Sequence, residues 1–341
     1  VEIELGPKPA HEIRRDLEHE IGADRWTRLD MEIRRLADET GFIDLRPQQP
    51  GPDDSDIRRL MTGRLQRLER LGLATPAGPG RWTVGLEAER TLRDLGLRGD
   101  IIKTMHQALT GRGAARAVGD YVIETGETSE PIIGRLIDKG LHDELSGEAY
   151  AVIDGTDGRV HHVRFAGAEA FEHGPPPGGI VELRRLGGGE GRRSTLILAP
   201  RSDLDLDRQV STKGATWLDH RLVEREAMPL SSSGFGGEVR AAMTARTDHL
   251  VEEGLARRQG QRVIFARNLL DTLRRRELDA VGARLATETG QPYVEAASGA
   301  SVAGTYRRQL ALASGRFAMI DDGLGFNLVP WSPSLERHLG R

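Results

Sequence analysis

Met61-Thr62-Gly63-Arg64-Leu65-Gln66-Arg67-Leu68-Glu69-Arg70-Leu71-Gly72-Leu73-Ala74 returns later in the chain as Met243-Thr244-Ala245-Arg246-Thr247-Asp248-His249-Leu250-Val251-Glu252-Glu253-Gly254-Leu255-Ala256. The Met-Thr pair, one arginine, one leucine and the closing Gly-Leu-Ala agree at a constant offset. After one residue is lost in the turn that follows, Arg81 falls on Arg262 and Thr91-Leu92-Arg93 on Thr272-Leu273-Arg274. Upstream, Leu29-Asp30 returns as Leu218-Asp219, each pair following a tryptophan. Downstream, Ser146-Gly147 and Ala151-Val152-Ile153-Asp154 return as Ser314-Gly315 and Ala318-Met319-Ile320-Asp321. Matches in the same order in both halves mark a duplicated unit. Chance similarity between two amphipathic helices would align leucines, but not the glycine, threonine and arginine positions as well.

Working outward, apolar residues at helical spacing predict helices at 11–20 (Ile13, Leu17) and 26–40 (Leu29, Ile33, Leu36). A loop with Pro50 and Pro52 leads to a third helix at 57–71, which Gly72 ends. Pro76-Ala77-Gly78-Pro79-Gly80 before Arg81-Trp82-Thr83-Val84 has hairpin turn chemistry. Three helices and a hairpin, in that order, are the signature of a winged helix-turn-helix. Two further helices are expected, at 86–95 and 101–109. From Ser129 the texture changes to short β-like runs at 150–153, 160–165, 180–183 and 195–198, separated by turns such as Gly187-Gly188-Gly189-Glu190-Gly191. Helical spacing returns at 217–224, 238–253 and 268–287, and a last β-like stretch covers 302–329. The expected fold is α+β, with duplicated winged helix-turn-helix units, each followed by helices and a small β-barrel-like domain. Its parts are a winged helix at 1–85, connecting helices at 86–128, a β domain at 129–204, a second winged helix with a long helix at 205–290, and a second, truncated β domain at 291–341.

Composition narrows the chemistry. The chain has 341 residues, room for more than one core. Its 48 lysines and arginines face 52 acidic residues, so a polyanion must be held by a local patch and not by net charge. The absence of cysteine removes thiolate nucleophiles and cysteine-held zinc. No apolar run is long enough for a membrane span, so a cytoplasmic location is expected. Val1 opens directly on a charged segment, which reads as a fragment of a longer chain.

In a winged helix the third helix enters the major groove and the hairpin follows a phosphate backbone, so exposed basic residues belong on both. With Met61, Leu65 and Leu68 as the buried stripe, Arg67 and Arg70 point outward and Arg64 flanks the core. These three and Arg81 are the first copy's DNA-contact candidates. In the second copy Arg246, His249 and Glu252 make a weaker helix face, and the hairpin compensates with Arg257, Arg258 and Arg262, followed by Arg274, Arg275 and Arg276. The bland alternative is a solvated face on which these arginines balance Glu69, Glu87 and Glu252. For catalysis the inventory is thin. His161 and His162 are adjacent on a strand, cannot chelate together and read as surface or turn residues. Asp203, Asp205 and Asp207 alternate with leucines on what reads as an extended, solvated edge. The Gly187 run lacks the Gly-Lys-Ser/Thr of a phosphate loop.

Residues 254–263, 271–278 and 313–326, together with Tyr150-Ala151-Val152-Ile153-Asp154-Gly155 and Leu328-Val329-Pro330-Trp331, resemble the C-terminal region of the VirD-type relaxase/mobilisation nuclease family of conjugative elements. The resemblance implies a full-length protein that nicks and transfers a DNA strand, with a histidine-held divalent metal and a tyrosine nucleophile in an N-terminal nuclease. None of that histidine motif is in this chain, and Tyr121, Tyr150, Tyr293 and Tyr306 lie in the wrong region for the nucleophile. The expectation is a chain with no catalytic residue and no cofactor, whose partners are transfer-origin DNA, relaxosome proteins and the type IV coupling protein. A translocation-signal or docking module is the competing reading, with a transcriptional regulator third.

Overall fold

A computed structural model of the chain describes residues 10–46, 54–113, 116–124, 131–141, 147–171, 173–186, 195–297 and 301–340. The Gly187–Gly191 run, Ser129, Ser146, Pro50, Pro52, Val1 and Arg341 lie outside the described residues. The backbone separates into two compact units, Val1–Thr104 and Met105–Arg341.

The first unit contains α1 (Ala10–Ile21), α2 (Arg28–Leu36), β1 (Phe42–Asp44), α3 (Asp54–Arg70), β2 (Ala74–Gly78) and β3 (Arg81–Val84), and then most of α4 (Ala88–Thr110). Thr27 fixes the start of α2 with a capping box. Its hydroxyl accepts from the Asp30 amide, and the Asp30 carboxylate accepts the Thr27 amide in return. The stripe Met61, Leu65 and Leu68 on α3 packs with Leu29, Ile33, Ile43 and Trp82 into one core. Gly72 ends α3 in the left-handed region at φ 72°, and Leu73 N–H reaches back to the Leu68 carbonyl at 2.8 Å. That reversal launches the hairpin, and β1 adds to it in the order β1-β3-β2, antiparallel throughout. The separate helices expected at 86–95 and 101–109 are one helix, α4. Gly96 costs helix stability of about 1 kcal/mol. Its missing side chain leaves room for Arg25, whose Cβ would lie 2.7 Å from a Cβ at this position.

The second unit opens with β4 (Tyr121–Ile123), β5 (Ile132–Leu141), β6 (Ala149–Gly155), β7 (Val160–Phe165), β8 (Ile180–Leu186) and β9 (Thr195–Ser202). They form one sheet in the order β4-β7-β6-β5-β8-β9, antiparallel except for β4 beside β7. Among the described residues β4 and β9 remain edges. The sheet is therefore open, and the barrel-like closure expected from the sequence is not made. Next come α5 (Leu206–Ser211), α6 (Trp217–Val223), α7 (Gly234–Glu252), β10 (Ala256–Gln259), β11 (Arg262–Phe265) and α8 (Leu269–Thr289). Strands β12 (Thr305–Leu312), β13 (Gly315–Asp321) and β14 (Phe326–Pro330) and helix α9 (Pro333–Glu336) complete the chain.

The repetition reaches individual hydrogen bonds. Gly254 repeats the φ of 72°, Leu255 N–H repeats the 2.8 Å bond to Leu250, and the Ala266 to Leu255 bond matches that of Gly85 to Leu73, both 2.9 Å. Thr216 and Asp219 rebuild the capping box of Thr27 and Asp30. Strands β12-β13-β14 form the same antiparallel meander as β5-β6-β7, each with a bulge in its first strand, at Leu136/Asp138 and at Tyr306/Arg308. Gly134 lies so close to the Asp154 carbonyl that a Cβ would overlap it, and a Cβ at Gly304 would lie 2.5 Å from the Asp321 carbonyl. Among the described residues, only the first copy pairs its hairpin with a third strand.

Candidate nucleic-acid interface

Arg64 is the first sequence candidate that the structure corrects. It is wholly buried, its Nε and Nη2 donating at 2.8 Å to the two oxygens of Asp30, itself 2% exposed. The remaining guanidinium hydrogens reach the carbonyls of Glu20, Ile21, Ala23 and, at 2.9 Å, Arg25. Arg246 repeats the arrangement with both oxygens of Asp219 at 2.8 Å and the carbonyls of Val210, Thr212 and Gly214. Neither side chain is available to DNA. A buried guanidinium persists only when its charge and its donors are all satisfied, which these pairs and carbonyls achieve. The matched arginines and aspartates of the repeat are therefore a structural clamp, tying the helix before each hairpin to the preceding capped helix.

Of the first unit's other three candidates, Arg70 alone is exposed without an ion pair among the described residues. Arg67 binds Asp24 at 2.6 Å, and Arg70 is exposed with its Nε near the Gln66 carbonyl at 3.3 Å. Arg81 is half-buried, folds over Gly78 and faces Asp44 across the β1-β3 pair. Arg46, with Arg81 adding its field, holds the Asp44 carboxyl down to about 2. The rest of the hairpin, Thr75-Pro76-Ala77-Gly78-Pro79, carries no charge.

The second unit is different. Arg257, Arg258 and Arg262 are all exposed on the β10-β11 hairpin. Arg258 pairs with Asp248 of α7. Arg257 and Arg262, along with Arg267 just past β11 and Arg274 on α8, are exposed and have no ion-pair partner among the described residues. Arg275 and Arg276 make only long, exposed pairs, with Glu295 at 3.5 Å and Glu253 at 3.7 Å. Arg267 escaped the sequence reading, although the repeat register points to it, because its counterpart is Leu86. Gly260, at φ 61° in the first of two turn positions, gives this hairpin a tight tip.

Helix α7 is anchored at its start. Phe235 and Val239 are fully buried with Ile180, Leu206 and Trp217, and a Cβ at Gly236 would overlap the Thr156 carbonyl oxygen. Glu238 accepts from Arg116 and Arg135 at 2.8 Å, and both arginines also bind Asp154, which is wholly buried. Desolvation drives the Asp154 carboxyl above its ordinary value, against the pull of the two arginines.

Neither histidine of the adjacent pair is on the surface, contrary to expectation. His161 sits between Glu124 at 2.7 Å and Asp157 at 3.1 Å, while His162 stacks on Tyr150 with ring centroids 5.4 Å apart. Burial opposes charge on His161, but the two carboxylates outweigh it and raise its pKa. The three aspartates are not one edge either. Asp203 grips Arg316, Asp205 caps α5 through the Arg208 amide, and Asp207 lies in the helix. Among the described residues no three His, Cys, Asp or Glu side chains gather as a metal ion would require.

Comparison with known sequences adds a family. The description "Protein of unknown function (DUF3363)" matches residues 61–190 and again residues 189–341, so the chain belongs to that family. The two matched stretches follow the two copies of the repeat. No curated protein and no solved structure matches the chain.

Proposed function

We propose that this DUF3363 chain is the non-catalytic DNA-binding region of a conjugative relaxase, acting in the bacterial cytoplasm at the transfer origin. In this reading each copy is a winged helix, and the second copy supplies most of the polyanion contact. The full-length protein would be the strand-nicking transesterase, its divalent metal held in a nuclease domain outside this chain. The observation that carries the reading is the set Arg257, Arg262, Arg267 and Arg274, exposed and without carboxylate partners among the described residues, on and beside one hairpin. A molecule with formal net charge −4 gathers unpaired cations in one place against its own average, and a phosphate backbone is the ligand such a patch attracts. The family resemblance of residues 254–263 and 271–278, which contain Arg257, Arg262 and Arg274, supports the same assignment.

The test is a fluorescence-anisotropy titration against duplex, hairpin and single-stranded DNA at two salt concentrations. The expected result is binding that weakens steeply as salt rises. No binding at low salt would overturn the reading and favour docking of relaxosome proteins or the coupling protein instead.

A further inference from the structure

A helix-turn-helix reads bases by placing the N-terminal residues of its second helix in the major groove. In the second copy that end of α7 is occupied, since Phe235, Gly236 and Val239 are buried against the sheet and its neighbours and Glu238 is held by Arg116 and Arg135. The exposed part of α7 farther along carries Asp248 and Glu252 and leads to Glu253 at its cap, acidic side chains that offer a phosphate no cation. The hairpin has the opposite character. Among the described residues its strands pair only with each other, in the register Arg257 with Ile264 and Gln259 with Arg262. Because side chains alternate, these residues share the outer face, while Ala256, Val263 and Phe265 lie on the face turned to the core. Ile264 is 38% exposed.

We infer that in the second copy the β10-β11 ribbon, not helix α7, reads base sequence, lying in the major groove with Arg257, Gln259 and Arg262 against base edges while Arg267 and Arg274 hold flanking phosphates. The inference rests on the DNA-binding reading above. Dimensions select the groove. Two strands about 4.8 Å apart, with their side chains, make a ribbon about 10 Å wide, which a major groove of about 12 Å admits and a minor groove of about 6 Å does not. Chemistry agrees, because arginine pairs bidentately with guanine O6 and N7, glutamine with adenine N6 and N7, and an exposed aliphatic side chain contacts a thymine methyl. The first copy has Pro76, Gly78 and a half-buried Arg81 in the corresponding hairpin, and β1 covers one of its edges. It has no such reading face.

The experiment is selection of bound duplexes from a randomised pool by the whole chain and by the charge-conserving variant Arg257→Lys/Arg262→Lys, which keeps the cations but loses the planar fork. The wild-type chain should enrich a short purine-containing motif, and the variant should lose that enrichment. In the enriched duplex, replacing guanine by 7-deazaguanine should weaken wild-type binding about tenfold per contact, and netropsin, which fills the minor groove, should not displace the protein. Salt-sensitive binding without enrichment, equal enrichment by the variant, insensitivity to 7-deazaguanine, or displacement by netropsin would each overturn the ribbon inference and leave DNA binding intact. Absence of binding to any duplex at low salt would overturn the DNA-binding reading as well.

Discussion

Replacing Arg64 with Ala should strongly destabilise the first unit, although the residue was a candidate for DNA contact. The substitution removes both bonds to Asp30 and leaves that carboxylate, 2% exposed, without its counter-charge. It also strips donors from the carbonyls of Glu20, Ile21, Ala23 and Arg25. Breaking a buried ion pair in this way costs about 3–5 kcal/mol, a large part of the roughly 5–15 kcal/mol that holds a domain folded. At about 4–8 °C per kcal/mol for a unit of this size, the midpoint should fall by about 12–40 °C. Arg70→Ala, on the exposed side of the same helix, should change stability by less than about 0.5 kcal/mol. Urea unfolding with residue-resolved hydrogen exchange separates the two units, and the loss should be confined to Val1–Thr104. An unchanged midpoint together with weaker DNA binding would refute the clamp and return Arg64 to the surface.

Other consequences are open to direct measurement. Charged His161 is held by Glu124 and Asp157, so its raised pKa contributes stability that is complete below the unfolded value of about 6.5 and is lost as pH rises through the folded value. The stability of the second unit should decline over that interval, and His161→Gln should flatten the profile. Gly236→Ala should cost about 1–3 kcal/mol, seen in denaturant unfolding, because its methyl group meets the Thr156 carbonyl and α7 must lift from the sheet. Glu277 accepts the amides of Ala313 and Ser314 at 2.9 Å, so Glu277→Ala should speed hydrogen exchange at those two amides by at least tenfold.

Much of the architecture was legible because the chain states it twice. The α3 and α7 segments, the hairpins and the final meander follow from the register of Met61 on Met243 and of Asp154 on Asp321. The role of Arg64 was not. On a helical wheel it borders the stripe of Met61, Leu65 and Leu68, where an arginine reads as a flank. Its partner Asp30 lies 34 residues away, and only tertiary packing brings the two together. The signal was nevertheless present, since Asp30 and Arg64 recur together as Asp219 and Arg246. Helix α4 was split in the reading because Gly96 and Gly99 suggest a break, and contact with Arg25 explains why Gly96 is tolerated. Helix α5 was missed because Asp205 and Asp207 alternate with leucines as they would on a strand, whereas Asp205 is a helix cap. Exposure without an ion-pair partner among the described residues, gathered on one hairpin and the start of the helix after it, is what groups Arg257, Arg262, Arg267 and Arg274, and it is not written in any local pattern.

If the second hairpin and its flank hold DNA, these last arginines carry the contact. The most direct measurement is the salt dependence of duplex affinity for the wild-type chain and for the variant with Arg257, Arg262, Arg267 and Arg274 all changed to Ala. Each phosphate contact contributes about 0.9 to the slope of log K against log salt, about eightfold in affinity for a tenfold change in salt. The variant, still folded, should lose roughly 2 from the slope through the phosphate contacts of Arg267 and Arg274 and, with the base contacts of Arg257 and Arg262 gone as well, on the order of a thousandfold in affinity near 0.1 M salt. An unchanged slope would contradict it and move the DNA contact, if there is one, away from the second hairpin.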